Sequence, residues 1–97
     1  MTFDPGTYRA QNGATVHIMH RHHNILLDGW VRLSEDGGAG GPYEWRDGEK
    51  ICRCQWVVQG DRAIRKKYLR DGTRNCNLDL IEKISDEVLY ITGSNGR

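Results

Sequence analysis

Two extended runs joined by a glycine–aspartate pair constrain the fold more than any other stretch of this chain. Residues 50–59 are rich in cysteine, tryptophan and valine, and residues 62–70 form a second run in which Ile64, Tyr68 and Leu69 stand among five arginines and lysines. Such residues suit a pleated, half-buried strand. Gly60 and Asp61 stand between the runs, and glycine supplies the positive φ of a tight primed turn. The sequence therefore predicts an antiparallel hairpin with a two-residue loop.

In this hairpin Gln59 faces Arg62, and alternate residues lie on opposite faces of the sheet. Residues of one face are Cys52, Cys54, Trp56 and Val58, and those of the other are Ile51, Arg53, Gln55 and Val57. Cationic side chains next to tryptophan and tyrosine predict a basic, aromatic surface with cation–π contacts. A helix is the alternative for the second run, because Ile64, Lys67 and Tyr68 could share one helix face.

Turn residues recur at short intervals along the rest of the chain. Asn12-Gly13 separates two alternating runs and predicts a two-residue type I′ turn, with Ala14, Val16 and Ile18 on the core face. Asp47-Gly48 predicts a further hairpin. This spacing predicts an all-β fold, a small antiparallel meander or SH3-like, barrel-like sheet of about six to eight short strands.

The chain has the length of one domain, so we expect a single β domain over residues 1–97. Gly29 interrupts a strand and predicts a bulge or a close backbone approach. Residues 34–42 are glycine-rich and predict a flexible loop that could carry function. Residues 77–84 and 87–92 predict two closing strands, although the first could also form a helical turn.

Composition limits the classes of protein to which this chain can belong. A net charge of +1 argues against a nucleic-acid binder driven by bulk charge, but not against a local basic stripe. No apolar run is long enough to cross a membrane, and the amino terminus is not of the secretory kind. Three cysteines cannot complete a disulfide framework within one chain. We therefore expect a cytoplasmic protein with reduced thiols and no membrane partner.

Two pairs of residues offer ligands for zinc. His20 and His22, and likewise Cys52 and Cys54, stand two apart and so share one face of a strand. A Cys₂His₂ site across strands is one hypothesis, although structural zinc sites usually separate paired cysteines by two to four residues. The alternative is a polar connection plus small buried thiols, with no metal and no cofactor. Nothing in the sequence locates a nucleophile beside a base and an orienting group, so we expect no enzymatic activity.

The basic and aromatic residues around the central hairpin are the predicted site for a ligand or partner. Small β-barrels bind nucleic acid through such faces, whereas the same cations also protect exposed edge strands from pairing. The glycine cluster at residues 37–41 is not a phosphate-binding loop, because it lacks the following lysine and Ser/Thr. The predicted site comprises Arg53, Trp56, Arg65, Lys66, Lys67, Tyr68, Arg70, Tyr43 and Trp45.

Two short stretches, Tyr8-Arg-Ala-Gln-Asn-Gly13 and Leu78-Asp-Leu-Ile-Glu82, carry a resemblance to known proteins. They resemble small uncharacterised phage and prophage β-rich proteins, which open with a Tyr-Arg-Thr-Arg-Asp-Gly-like hairpin and close with a Leu-Asp-Leu-Val/Ile-Glu-like stretch. The resemblance implies a phage origin and favours an inhibitor or sponge of a host defence system. It assigns no functional residues.

These observations together lead to three hypotheses. The first is a non-enzymatic phage-type binding protein of anti-CRISPR-like character, directed at a host defence protein or its anionic nucleotide ligand. The second is a nucleic-acid-binding small β-barrel that uses the basic, aromatic hairpin face. The third is a zinc-stabilised interaction module. A homodimer paired through edge strands would suit so small a sheet.

Overall fold

A computed structural model describes residues 3–32, 43–46, 48–64 and 78–90 of the chain. These residues form one antiparallel sheet of seven strands, which confirms the all-β prediction. The strands are β1 Gly6–Ala10, β2 Thr15–His22, β3 Leu26–Arg32, β4 Tyr43–Arg46, β5 Glu49–Gln59, β6 Arg62–Ile64 and β7 Leu80–Ser85. Within the described ranges, no helix is long and apolar enough to span a membrane. The predicted loop at residues 34–42 lies outside these ranges.

The sheet closes into a barrel through its longest strand. Six strands follow one another in the order β3-β2-β1-β7-β6-β5, and the pairing of β5 with β3 completes the ring. The other edge of β5 is shared, because β4 pairs with its first residues and β6 with its last. β4 therefore stands outside the six-stranded barrel as the terminal strand of the sheet.

Alternation along the strands places one set of apolar side chains inside the barrel. The predicted register of the central hairpin is confirmed, with Val58 opposite Ala63 and Gln59 opposite Arg62. The face of β5 that carries the two cysteines and Trp56 points inward. The buried residues of the interior cluster are Phe3, Tyr8, Ala10, Ala14, Val16, Ile18, Leu27, Val31, Cys52, Cys54, Trp56, Ala63, Leu78 and Leu80.

The turn between β1 and β2 differs from the prediction of a two-residue type I′ turn. The Ala10 N–H donates to the Ala14 carbonyl at 2.9 Å across a three-residue loop, in which Gly13 has a φ of 89° and Asn12 has no positive φ. A type I′ turn requires positive φ at both central residues. That backbone occurs instead between β2 and β3, where His23 and Asn24 have φ values of 53° and 63°.

Strand β2 bulges where it passes Gly29 of β3. The register shifts between Ile18 and His20, which leaves Met19 as the extra residue. A Cβ atom on Gly29 would lie 2.4 Å from the His17 carbonyl oxygen, closer than any side chain tolerates. The predicted close backbone approach at Gly29 is confirmed.

The structure confirms the first of the two closing strands that were predicted for residues 77–84 and 87–92. β7 is a strand and pairs with β1, so the alternative of a helical turn is wrong. Residues Glu87–Tyr90, which we call the covering segment, form no strand. Two of their carbonyl groups accept hydrogen bonds from side chains of β1 and β3, so the segment crosses the outside of the barrel instead of pairing with β7.

Candidate binding surface

Trp56 was predicted to face a ligand, and the structure corrects this to a core position. Its side chain is fully buried inside the barrel. The indole N–H donates a hydrogen bond to the Leu78 carbonyl at 2.7 Å, which satisfies the one polar atom of the ring. In the predicted hairpin, Arg65 and Lys67 of the second run oppose the face that carries Trp56, so both faces mixed apolar and charged residues and alternation alone did not tell which face points inward.

Arg53 of the predicted site lies on the outer face of β5, and two carboxylates share its charge. Its Nη2 atom is 3.7 Å from Asp28 Oδ2, and its Nε atom is 3.5 Å from Glu44 Oε2. Nearby, Arg32 Nε bonds Glu49 Oε2 at 2.6 Å. Cations that already face carboxylates attract an added phosphate weakly, so the described part of this face is a poor anion site.

Trp45 and Lys50, which we call the mouth pair, are the part of the predicted site that meets solvent. Trp45 lies on β4 opposite Lys50 of β5, and its side chain is 71% exposed. The Lys50 ammonium lies 5.9 Å from the centre of the indole ring, within cation–π range. Lys50 shares a face of β5 with Cys52, which points into the barrel. The mouth pair therefore lies on the continuation of the interior face, just beyond the residues of β5 that pair with β3.

The remaining residues of the predicted site cannot be compared with this surface. Tyr43 lies in β4, but its side chain is outside the described part of the structure. Outside it too are Arg65, Lys66, Lys67, Tyr68 and Arg70. Arg53 is therefore the one cation of the predicted site that lies within the described residues.

The structure separates the four proposed zinc ligands. Cys52 and Cys54 are buried inside the barrel with their sulfur atoms 3.5 Å apart, whereas His20 and His22 are exposed. Their cross-strand partners Asp28 and Leu26 place both histidines on the outer side of the sheet. Among the described residues, no group of three or more His, Cys, Asp or Glu side chains could hold a metal ion. The hypothesis of a Cys₂His₂ site is therefore wrong.

The structure also shows an aromatic cluster that the sequence did not reveal. The rings of His17 and Trp30 stack at 4.4 Å on the outer face, and Trp30 packs with Met19 and Ile51. We call these four buried residues the outer cluster. The covering segment lies against it, because Trp30 Nε1 donates to the Leu89 carbonyl at 2.9 Å. A pair of outward-facing aromatic residues at the same level of β2 and β3 is the signal that could have found it.

Two ionisable groups near the covering segment have shifted pKa values. Burial raises the pKa of Tyr8 to about 12, helped by the charge of Asp4, while the Tyr8 hydroxyl donates to the Asp4 backbone carbonyl at 2.6 Å. A hydrogen bond from Lys83, at 2.7 Å, lowers the pKa of the exposed Asp86 carboxyl. Both shifts move the pKa further from neutral pH, so neither group is tuned for acid–base chemistry there.

No family model, curated protein or solved structure matches this chain. What the protein does must therefore be argued from its own surface.

Proposed function

We propose that this protein is a non-enzymatic binding module that holds a protein partner at the mouth pair. The observation that carries the proposal is Trp45, whose large ring is 71% exposed on the terminal strand of the sheet. Tryptophan is among the residues most enriched at the energetic centres of protein interfaces. A partner that covers this indole removes its apolar surface from water, which favours binding.

The position of Trp45 on β4 adds main-chain recognition to the indole. β4 pairs with β5, and among the described residues no other strand pairs with β4. Its second edge therefore offers backbone donors and acceptors to which a partner strand can add. β4 has only four residues, which limits uncontrolled pairing at this edge. A partner strand can still pair in register beside Trp45.

The described cations of the neighbouring strands favour a protein over a phosphate backbone. Arg32 and Arg53 lie on the opposite face of the sheet from the mouth pair, and both already face carboxylates. One observation supports the alternative of nucleic-acid binding. An unstacked base could stack on the exposed Trp45 ring beside the Lys50 ammonium. The resemblance to phage proteins makes a bacterial defence protein the partner class to test first, and an inhibitor of that kind needs a surface rather than a catalytic centre.

The test compares the wild-type chain with Trp45→Ala. Each protein is immobilised, exposed to extract of the bacterial host, and its captured partner is identified and then titrated as a pure protein by calorimetry. Truncating a tryptophan at the energetic centre of an interface costs about 2 kcal/mol or more of binding free energy. We therefore expect Trp45→Ala to weaken binding by about 30-fold or more.

Ile25→Ala is the matched control. Ile25 is also an exposed apolar residue, but its carbonyl bonds Val58 N–H at the far end of β5, on the order of 25 Å from Lys50 along the strand. We expect this variant to bind as the wild type does. Equal binding by the wild type and Trp45→Ala would overturn the proposal. Capture of nucleic acid that is lost on nuclease treatment and in high salt would replace it with the nucleic-acid alternative.

A further inference from the structure

The hydrogen bonds from β1 and β3 to the covering segment reach its main chain. Thr7 Oγ1 donates to the Glu87 carbonyl at 2.9 Å, and Trp30 Nε1 donates to the Leu89 carbonyl at 2.9 Å. Carbonyl groups of residues two apart point to the same side of an extended chain. Donors on β1 and β3 therefore match the repeat of an extended peptide, and this match does not depend on which side chains the peptide carries.

Burial is strongly unequal across this contact. On the barrel side, Thr7, His17 and Trp30 are all buried, the last to 8% exposure. On the other side, Glu87, Leu89 and Tyr90 are exposed, and Val88 is half-buried. If the segment lifted away, it would expose an aromatic surface and two hydrogen-bond donors. The side chains of the segment itself would lose few buried contacts. Segments of this kind open at a lower free energy than the sheet beneath them.

We infer that the outer face of β1, β2 and β3 is a docking groove for an extended peptide of a partner protein, and that the covering segment occupies this groove in cis. The segment defines the chemistry of the ligand. Its main chain meets Thr7 and Trp30, an aliphatic side chain takes the place of Val88, and an aromatic ring takes the place of Tyr90, which lies 5.7 Å from the His20 ring.

This groove is distinct from the mouth pair. Trp45 and Lys50 lie on the face of the sheet that continues the barrel interior, whereas Trp30 and Ile51 lie on the opposite face. A partner at one surface leaves the other open, so the inference stands or falls separately from the proposed function.

The experiment uses the full chain and a labelled peptide. The peptide has the sequence of residues 85–90, is blocked at both ends, and carries fluorescein for anisotropy measurements. The wild type is compared with a Val88→Gly/Leu89→Gly double variant, in which greater chain entropy weakens the segment in cis while the groove is unchanged. We expect the double variant to bind the peptide at least about tenfold more tightly than the wild type, because less of the groove is occupied.

Trp30→Phe in the double-variant background tests the groove itself. It keeps an aromatic ring but removes the donor to the Leu89 carbonyl, so we expect most of the gain in affinity to be lost. Thr7→Val, which removes the second donor, should act in the same direction. Peptide affinity that ignores both changes, or no binding to the double variant at millimolar peptide, would overturn the inference.

Hydrogen exchange on the wild type keeps the inference testable if the double variant does not fold. We expect amides of residues 87–90 to exchange at least about tenfold faster than those of β2. Equal protection would mean that the segment is an inseparable part of the fold. A concentration-dependent dimer that dissociates in the double variant would also overturn the inference, because it would assign the groove to exchange of this segment between copies.

Discussion

Trp56 and Trp30 make the same kind of local contacts but are buried by different parts of the structure. Both rings are buried, and both indole N–H groups donate to a backbone carbonyl, at 2.7 Å to Leu78 and at 2.9 Å to Leu89. Trp56 lies within a barrel whose strands enclose it. Trp30 lies outside the barrel, beneath one irregular segment. Burial and a satisfied hydrogen bond therefore do not tell whether a tryptophan belongs to the fold or to a surface that can open.

What differs is the structure that must break to expose each ring. Exposing Trp56 requires the closed sheet to open, since its neighbours come from both ends of the chain and from β5. Exposing Trp30 requires the loss of two side-chain hydrogen bonds to the covering segment. The interior cluster should therefore control global unfolding, and the outer cluster should control local opening.

Truncating the two tryptophans gives the largest expected effect. Trp56→Ala should lower the free energy of unfolding by about 3–5 kcal/mol, because it leaves a cavity and an unpaired Leu78 carbonyl in the barrel. Trp30→Ala should cost about 1–2 kcal/mol, because solvent can reach its site when the segment lifts. Urea unfolding of both variants measures the difference. Equal losses would contradict the distinction between the two clusters.

Gly29→Ala should have the next largest effect. The added Cβ would meet the His17 carbonyl at 2.4 Å and press on the bulge that supports the outer cluster, at a cost of about 1–3 kcal/mol. Thermal unfolding measures it. Gly60→Asn is the control, because a Cβ at Gly60 has open space and asparagine tolerates its positive φ of 63°. A tolerated Gly29→Ala would show that the two strands can move apart.

The contribution of Tyr8 to stability at alkaline pH should be the smallest of these effects. A tyrosine in the unfolded chain ionises with the ordinary pKa of 10.0, whereas Tyr8 in the folded barrel has a pKa of about 12. The raised pKa contributes stability that is complete below pH 10 and is lost as the pH rises through 12. Between pH 10 and 11, the wild type should lose about 1 kcal/mol more than Tyr8→Phe.

Urea unfolding at these pH values makes the comparison, and pH 8 serves as the reference. There the loss of the hydrogen bond from Tyr8 to the Asp4 carbonyl should make Tyr8→Phe less stable than the wild type by about 1 kcal/mol. Parallel pH curves for the two proteins would contradict the assignment of the alkaline loss to Tyr8.

The sequence predicted those parts of the fold that depend on neighbours along the chain. Alternation gave the two faces of β5, and the Gly60-Asp61 pair gave the register opposite β6. The Asn12-Gly13 pair marked a hairpin but not its loop, since one added residue in the loop gives the turn a different backbone. Of the tryptophans in the predicted site, Trp45 is exposed and Trp56 is buried, because the choice of the inner face depends on strands far away in sequence.

By itself the sequence determined an all-β chain, its strand-forming runs and the alternation within them, because side chains on a strand alternate whatever lies beyond it. Only the tertiary structure decided that β5 pairs with β3 to close a barrel, that Trp56 faces inward, and that the cysteines and histidines lie on opposite sides of the sheet. It also decided that Glu87–Tyr90 covers Trp30 instead of extending the sheet. These outcomes depend on contacts between residues distant in sequence, and no local pattern encodes which of two mixed faces such contacts will bury.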